Sequence, residues 1–135
     1  MTNEEEIQRY ANIIEYYRSQ LESIESQFNY LQAAMLDYTK AKMTIEKINE
    51  TKTGTDILIP LGGGTFTYAS AKNTSKILTE IGAGYVLEKS PTDAMELIEK
   101  RIQQLTQSQE SLSAMSQQIQ NQINEISAKA QELMN

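Results

Sequence analysis

The sequence predicts an α+β fold: a long antiparallel two-helix coiled coil with two β-hairpins inserted at the bend, the hairpins closing into a β-barrel with partner subunits. Three observations carry this reading. Apolar residues recur at alternating three- and four-residue steps along both outer segments of the chain. The middle is instead rich in β-branched and aromatic residues interrupted by Gly62-Gly63-Gly64 and Gly82-Ala83-Gly84. Those triplets begin twenty residues apart, as a duplicated hairpin would place them. The 135 residues amount to one domain, organised as a first helix (1–53), a platform of two hairpins (54–89) and a second helix (90–135).

In the first helix Thr2 and Glu5 have the spacing of a capping box, and Glu4, Glu5 and Glu6 suit the positive end of the helix dipole. The seam then runs Ile7, Tyr10, Ile14, Tyr17, Leu21, Ile24, Phe28, Leu31, Met35, Tyr38, Lys42 and Ile45. Its rhythm is that of a coiled coil rather than the wider stripe of a globular helix. No glycine or proline occurs before Gly54, so a helix from Asn3 to Asn49 would reach on the order of 70 Å at about 1.5 Å per residue.

The middle segment reads as two hairpins with three-residue turns at the glycine triplets. Ile57, Ile59 and Leu61 alternate onto one strand face, as do Phe66 with Tyr68 and Tyr85 with Leu87. With Ile77 and Ile81 these residues are the candidates for the barrel core and for subunit contacts. Two isolated hairpins leave open strand edges, a hazard that closure with neighbouring subunits removes. A phosphate-binding role for the glycines does not fit, because such a loop opens onto a helix and here each triplet is followed by strand residues.

The second helix starts at Ser90-Pro91-Thr92-Asp93, with Ser90 as N-cap, Pro91 at the first helical position and Asp93 completing the box. Its seam is Met95, Ile98, Ile102, Leu105, Gln109, Leu112, Ser116, Ile119, Ile123, Ile126, Ala130 and Leu133. Counting up one helix and down the other brings the two seams together along their whole length. Ile7 then faces Leu133, Phe28 faces Leu112 and Ile45 faces Met95, while small residues meet large ones at Tyr10 with Ala130 and Ile24 with Ser116. A slip by one heptad would keep the rhythm and leave one end unpaired.

Composition excludes several function classes. A net charge of −6 speaks against nucleic acid and anionic membrane surfaces as partners. With neither Cys nor His there is no thiolate chemistry, no disulfide framework and no ordinary zinc or haem site. Almost all of the carboxylates fall on helical surface positions among Lys, Gln and Ser, the pattern of a solvated face. No catalytic residue, metal or cofactor is therefore expected. The acidic Met-Thr-Asn-Glu-Glu-Glu start lacks the apolar core of a secretory signal, and no apolar run reaches membrane-spanning length, so a cytoplasmic location is expected.

Apolar residues that a plain spacer would not need carry more information. Off the seam these are Ile13, Tyr16 and Met134 near the chain ends, and Leu36, Met43, Ile48 and Leu97 closer to the hairpins. The seam also loses neighbours where it ends, which opens Ile7, Tyr10, Ile14, Ile126, Ala130 and Leu133 in part. Ile7, Tyr10, Ile13, Ile14, Tyr16, Tyr17, Ile123, Ile126, Leu133 and Met134 are accordingly the candidate residues of an adaptable apolar tip.

Helix, two hairpins and helix, joined by Ile57-Leu58-Ile59-Pro60-Leu61-Gly62-Gly63-Gly64 and by Ile81-Gly82-Ala83-Gly84-Tyr85-Val86-Leu87-Glu88-Lys89, resemble the archaeal prefoldin alpha subunits over the whole chain. Beta-type subunits of that family have a single hairpin. The resemblance implies an ATP-independent cytosolic chaperone, a hetero-hexamer of two alpha and four beta subunits on a double β-barrel platform. It also implies that the distal tips hold unfolded polypeptides and that cargo passes to a group II chaperonin. The alternative is a coiled-coil scaffold or tether subunit of a heteromeric complex without client binding.

Overall fold

The computed structural model describes residues 2–135. In chain order the elements are α1 (Asn3–Glu50), β1 (Asp56–Gly62), β2 (Thr65–Ser70), β3 (Ile77–Gly82), β4 (Tyr85–Lys89) and α2 (Pro91–Met134). Both helix starts carry the N-cap that the sequence suggests, the box being reciprocal only at the first. The Glu5 amide donates to Thr2 Oγ1 at 3.2 Å while the Thr2 amide donates to the Glu5 carboxylate at 3.4 Å, a reciprocal box. At α2 the Asp93 amide donates to Ser90 Oγ at 3.1 Å. Helix α1 ends where the Thr51 hydroxyl and amide turn back onto the carbonyls of Lys47 and Ile48.

The described residues pack as two units. One combines the chain up to Met35 with Gln104–Asn135, the other is Leu36–Gln103. In the first, the two helix segments run antiparallel: Leu21 and Ile24 share a groove with Ser116, and Leu31 shares one with Ser108. Ile24 and Ile123 are buried there, and all other seam positions of both helices in this unit are half-buried. Gln109, a polar member of the seam, donates from Nε2 to Gln32 Oε1 at 2.9 Å and to the Phe28 carbonyl at 3.5 Å. A half-buried amide is thereby satisfied across the helix pair rather than left bare.

The second unit has its core at Ile45, Ala94 and Ile98, with Tyr38, Ala41, Ile77, Met95 and Ile102 packed against them. Ala94 is fully buried, its methyl allowing close approach where a larger residue would hold the elements apart. The Lys42 ammonium meets Glu99 at 2.8 Å beside this core.

Strands β1 and β2 form one two-stranded antiparallel sheet, β3 and β4 another. The turns differ from the three-residue form expected. Gly62 pairs with Thr65 and Gly82 with Tyr85, which leaves two-residue loops, Gly63-Gly64 and Ala83-Gly84. All four loop residues have positive φ, as the twist-matched two-residue hairpin turn demands. The extra residue sits in the strand instead: Leu61 and Ile81 each occupy a bulge where the register steps. Ala83, at φ 49°, takes a conformation that glycine or asparagine adopts more readily.

Candidate functional site

With no clustered polar site, what distinguishes the molecule is apolar surface without a neighbour, and it occurs in both units. Among the described residues no group of acidic side chains is disposed to hold a metal ion, and no helix is long and apolar enough to cross a membrane.

In the hairpin unit the pairing assigns the faces. Leu58 lies opposite Tyr68 and Pro60 opposite Phe66, so these four share one face of the first sheet; Ile57 opposite Ala69 and Ile59 opposite Thr67 take the other. The sequence grouped Ile57, Ile59 and Leu61 together and Phe66 with Tyr68, and the register shows that these two sets look in opposite directions, with Leu61 displaced into the bulge. Ile59, Leu61, Phe66 and Tyr68 are exposed, Tyr68 to 83%. A two-stranded sheet that is apolar on both faces has more surface to cover than one layer of neighbours can supply.

The second sheet is sided differently. Ile77 and Thr79 lie on the face shared with Leu87, and Ile77 packs onto the Ile45–Ala94–Ile98 core. Part of the half-buried Ile77 side chain is thereby taken up by its own chain's core. Tyr85, Leu87 and Ile81 remain exposed. Leu78 and Val86, on the opposite face from Thr79, are also exposed and were not singled out from the sequence, although the two-residue alternation could have found them. Arg101 ties this sheet to α2: its guanidinium donates to the Glu80 carbonyl at 2.6 Å and stands 5.9 Å from the centre of the Tyr38 ring.

In the other unit the candidate tip residues divide into three groups. Tyr16 and Met134 are exposed. Ile7, Tyr10, Ile13, Ile14, Tyr17, Ile126 and Leu133 are half-buried, each keeping part of its side chain in solvent. Ile123 is only 5% exposed and is removed from the candidates: as a seam residue it is covered by the facing helix. The ring of Tyr16 lies 5.9 Å from that of Tyr17, and its hydroxyl accepts from Gln20 Nε2 at 2.9 Å, so the exposed ring is held in place.

Tyr30, a tyrosine off the seam that the sequence offers as a contact, is 75% exposed, and Met115, which the sequence reading passed over, is 50% exposed. Tyr30 borders a groove of about 580 Å³ whose floor is Leu31 and Leu112 and whose rim is Ser26, Gln27, Ser108 and Ser111.

Comparison with known proteins agrees with this architecture. The family model for prefoldin subunits matches residues 17–135. The chain is 30% identical over 119 residues to the prefoldin subunit alpha of Archaeoglobus fulgidus, covering 88% of this chain and 87% of that protein. It is 33% identical over 116 residues to the prefoldin subunit alpha of Methanosarcina barkeri, covering 83% and 80%. Among solved structures, a filamentous PFD from Methanocaldococcus jannaschii superposes with a TM-score of 0.78 at 18% identity, over 88% of this chain and 98% of that one, a likeness of fold.

Proposed function

The chain belongs to the prefoldin family as an alpha subunit of the archaeal type, and from that premise we propose that it works in a hetero-hexamer, two alpha with four beta subunits, that holds unfolded polypeptides without ATP and passes them to a group II chaperonin. Prefoldin subunits are chaperone subunits of an oligomer and the family is not enzymatic. The proposed steps beyond that are capture at the coiled-coil end that carries both chain termini, closure of the hairpins into a β-barrel with partner subunits, and work in the cytoplasm.

The observation that carries this reading is the exposed apolar set on a polar coiled coil: Tyr16, Tyr30 and Met134 exposed, with Ile7, Ile14 and Leu133 half open. Each such patch is small, so one contact with a client is weak. Several subunits engaging one polypeptide raise the effective concentration and convert weak contacts into holding. Weakness per contact also explains release without nucleotide. A client that folds withdraws its apolar groups and loses its grip, which gives selectivity for non-native chains. The apolar faces around Leu58, Phe66 and Tyr68 supply the matching argument for assembly.

Light scattering of a heat-denatured test protein, with and without the assembled complex, tests the proposal. Suppressed aggregation is expected. Removing the residues before Ala11 and those after Ile126, which takes away Ile7, Leu133 and Met134 but keeps Tyr16 and Tyr30, should weaken suppression and leave assembly intact. A complex that assembles and never suppresses aggregation would be a scaffold, and the holding function would be refuted.

A further inference from the structure

The formal charge of −6 is not spread over the molecule. In the unit of Leu36–Gln103, nine carboxylates are matched by nine lysines and arginines. In the other unit, nine glutamates face only Arg9, Arg18 and Lys129, so the whole excess lies there. Both ion pairs of the described residues, Lys42–Glu99 and Lys76–Glu88, belong to the neutral unit. Of the cations in the acidic unit, Arg9 is turned onto the Tyr10 ring at 5.8 Å. The glutamates are thus left to act on what approaches from outside.

The same unit carries the exposed tyrosines. Glu15 precedes Tyr16 and, with Glu22 and Arg18, edges a groove that reaches Ile14 and Ala11. Tyr30 overlooks the separate groove floored by Leu31 and Leu112. Apolar footholds here are therefore set in a field of one sign, and such a field steers oppositely charged chains and repels like-charged ones.

We propose that this unit binds unfolded segments that are both apolar and basic in preference to acidic segments of equal hydropathy, with lysine or arginine of the client over the glutamates and its apolar side chains on the Tyr16 and Tyr30 surfaces. The proposal rests on the client-holding reading above and adds the charge of the client to it. Charge governs encounter and selection, apolar contact governs retention. Because all of these glutamates but the half-buried Glu6 are solvent-exposed, the preference is screened as ionic strength rises.

The test uses the complex assembled with its partner subunits and three unstructured fluorescent peptides of equal length and apolar content, bearing lysine, glutamine or glutamate at the same positions. Anisotropy titrations are made at about 0.05 M and about 0.5 M salt. At low salt the lysine peptide should bind about tenfold tighter than the glutamate peptide, with glutamine between them. At high salt the three should converge. Joint Glu15→Gln, Glu22→Gln and Glu125→Gln substitution in this subunit should narrow the lysine-to-glutamate ratio. Equal affinity for all three peptides at low salt overturns the charge preference while leaving the holding function standing. Failure to bind any peptide, together with no suppression of aggregation, overturns the holding function itself. If the complexes instead associate with one another as concentration rises, and lose peptide binding as they do so, the surface is a contact between copies and the proposal falls.

Discussion

Lys42 Nζ lies 2.8 Å from Glu99 Oε2, an ion pair between the two helices at a position where the seam is otherwise apolar. Its value is in alignment more than strength, because both side chains are roughly two-fifths exposed and such pairs contribute about 0–1 kcal/mol. Glu99 occupies a row of α2 whose neighbours one heptad away are Thr92 and Thr106. A slip by seven residues in either direction would face Lys42 with a threonine. Gln109, bonded to Gln32 and the Phe28 carbonyl, adds a polar marker within the other unit.

Lys42→Leu should therefore raise the melting temperature slightly while loosening the alignment of the helices. Spin labels at the exposed Lys40 and Gln103 would read this as a broadened or second distance population. A single narrow distance in the variant would show that Lys42 does not select the register.

The core of the hairpin-bearing unit is small, so each of its members matters. Ile98→Ala should destabilise by about 2–5 kcal/mol, and Ala94→Leu, which overfills a fully buried position, by about 1–3 kcal/mol. Chemical denaturation of the assembled complex, followed by circular dichroism, measures both. Unchanged midpoints would mean that this cluster is not what holds the unit together.

The turns offer a prediction of opposite sign. Ala83 stands at φ 49°, where asparagine is the more comfortable residue, so Ala83→Asn should stabilise the second hairpin by several tenths of a kcal/mol. Gly63, at φ 58° in the equivalent place, should tolerate Val poorly, at a cost above about 1 kcal/mol. Hydrogen exchange of the amides in β1–β4 would follow both effects hairpin by hairpin.

Leu58, Phe66 and Tyr68 are expected to be covered in the oligomer. Leu58→Asp or Tyr68→Asp should reduce co-assembly with partner subunits by native mass spectrometry, with helix content unchanged. The unmodified chain expressed alone should self-associate; a stable monomer by light scattering would contradict the proposed role of this surface.

How far the sequence revealed all this depends on the kind of order involved. Coiled-coil periodicity is a repeated signal, and every seam position from Ile7 to Ile45 and from Met95 to Leu133 is buried or half-buried. Caps were equally readable, since Thr2 with Glu5 and Ser90 with Asp93 are local chemistry. The sheets were read less well because alternation says which residues share a face, never what lies against it. Thus nothing in the alternation told that Ile77 would pack in part on the chain's own core, and Leu58, Leu78 and Val86 were passed over. The glycine triplets concealed their bulges, because a three-residue turn and a two-residue turn beside a bulge use the same letters. Ile123 was misplaced for a related reason: periodicity marks a seam but not the point along it where fraying begins.

The first hairpin's doubly apolar sheet has a consequence for supply. A copy made in excess of its partner subunits would bear, on a folded molecule, the sort of greasy surface by which misfolded chains betray themselves. Under the proposed holding function the finished complex would then be offered its own spare parts as cargo, so its free holding capacity should fall as the subunit ratio drifts from balance.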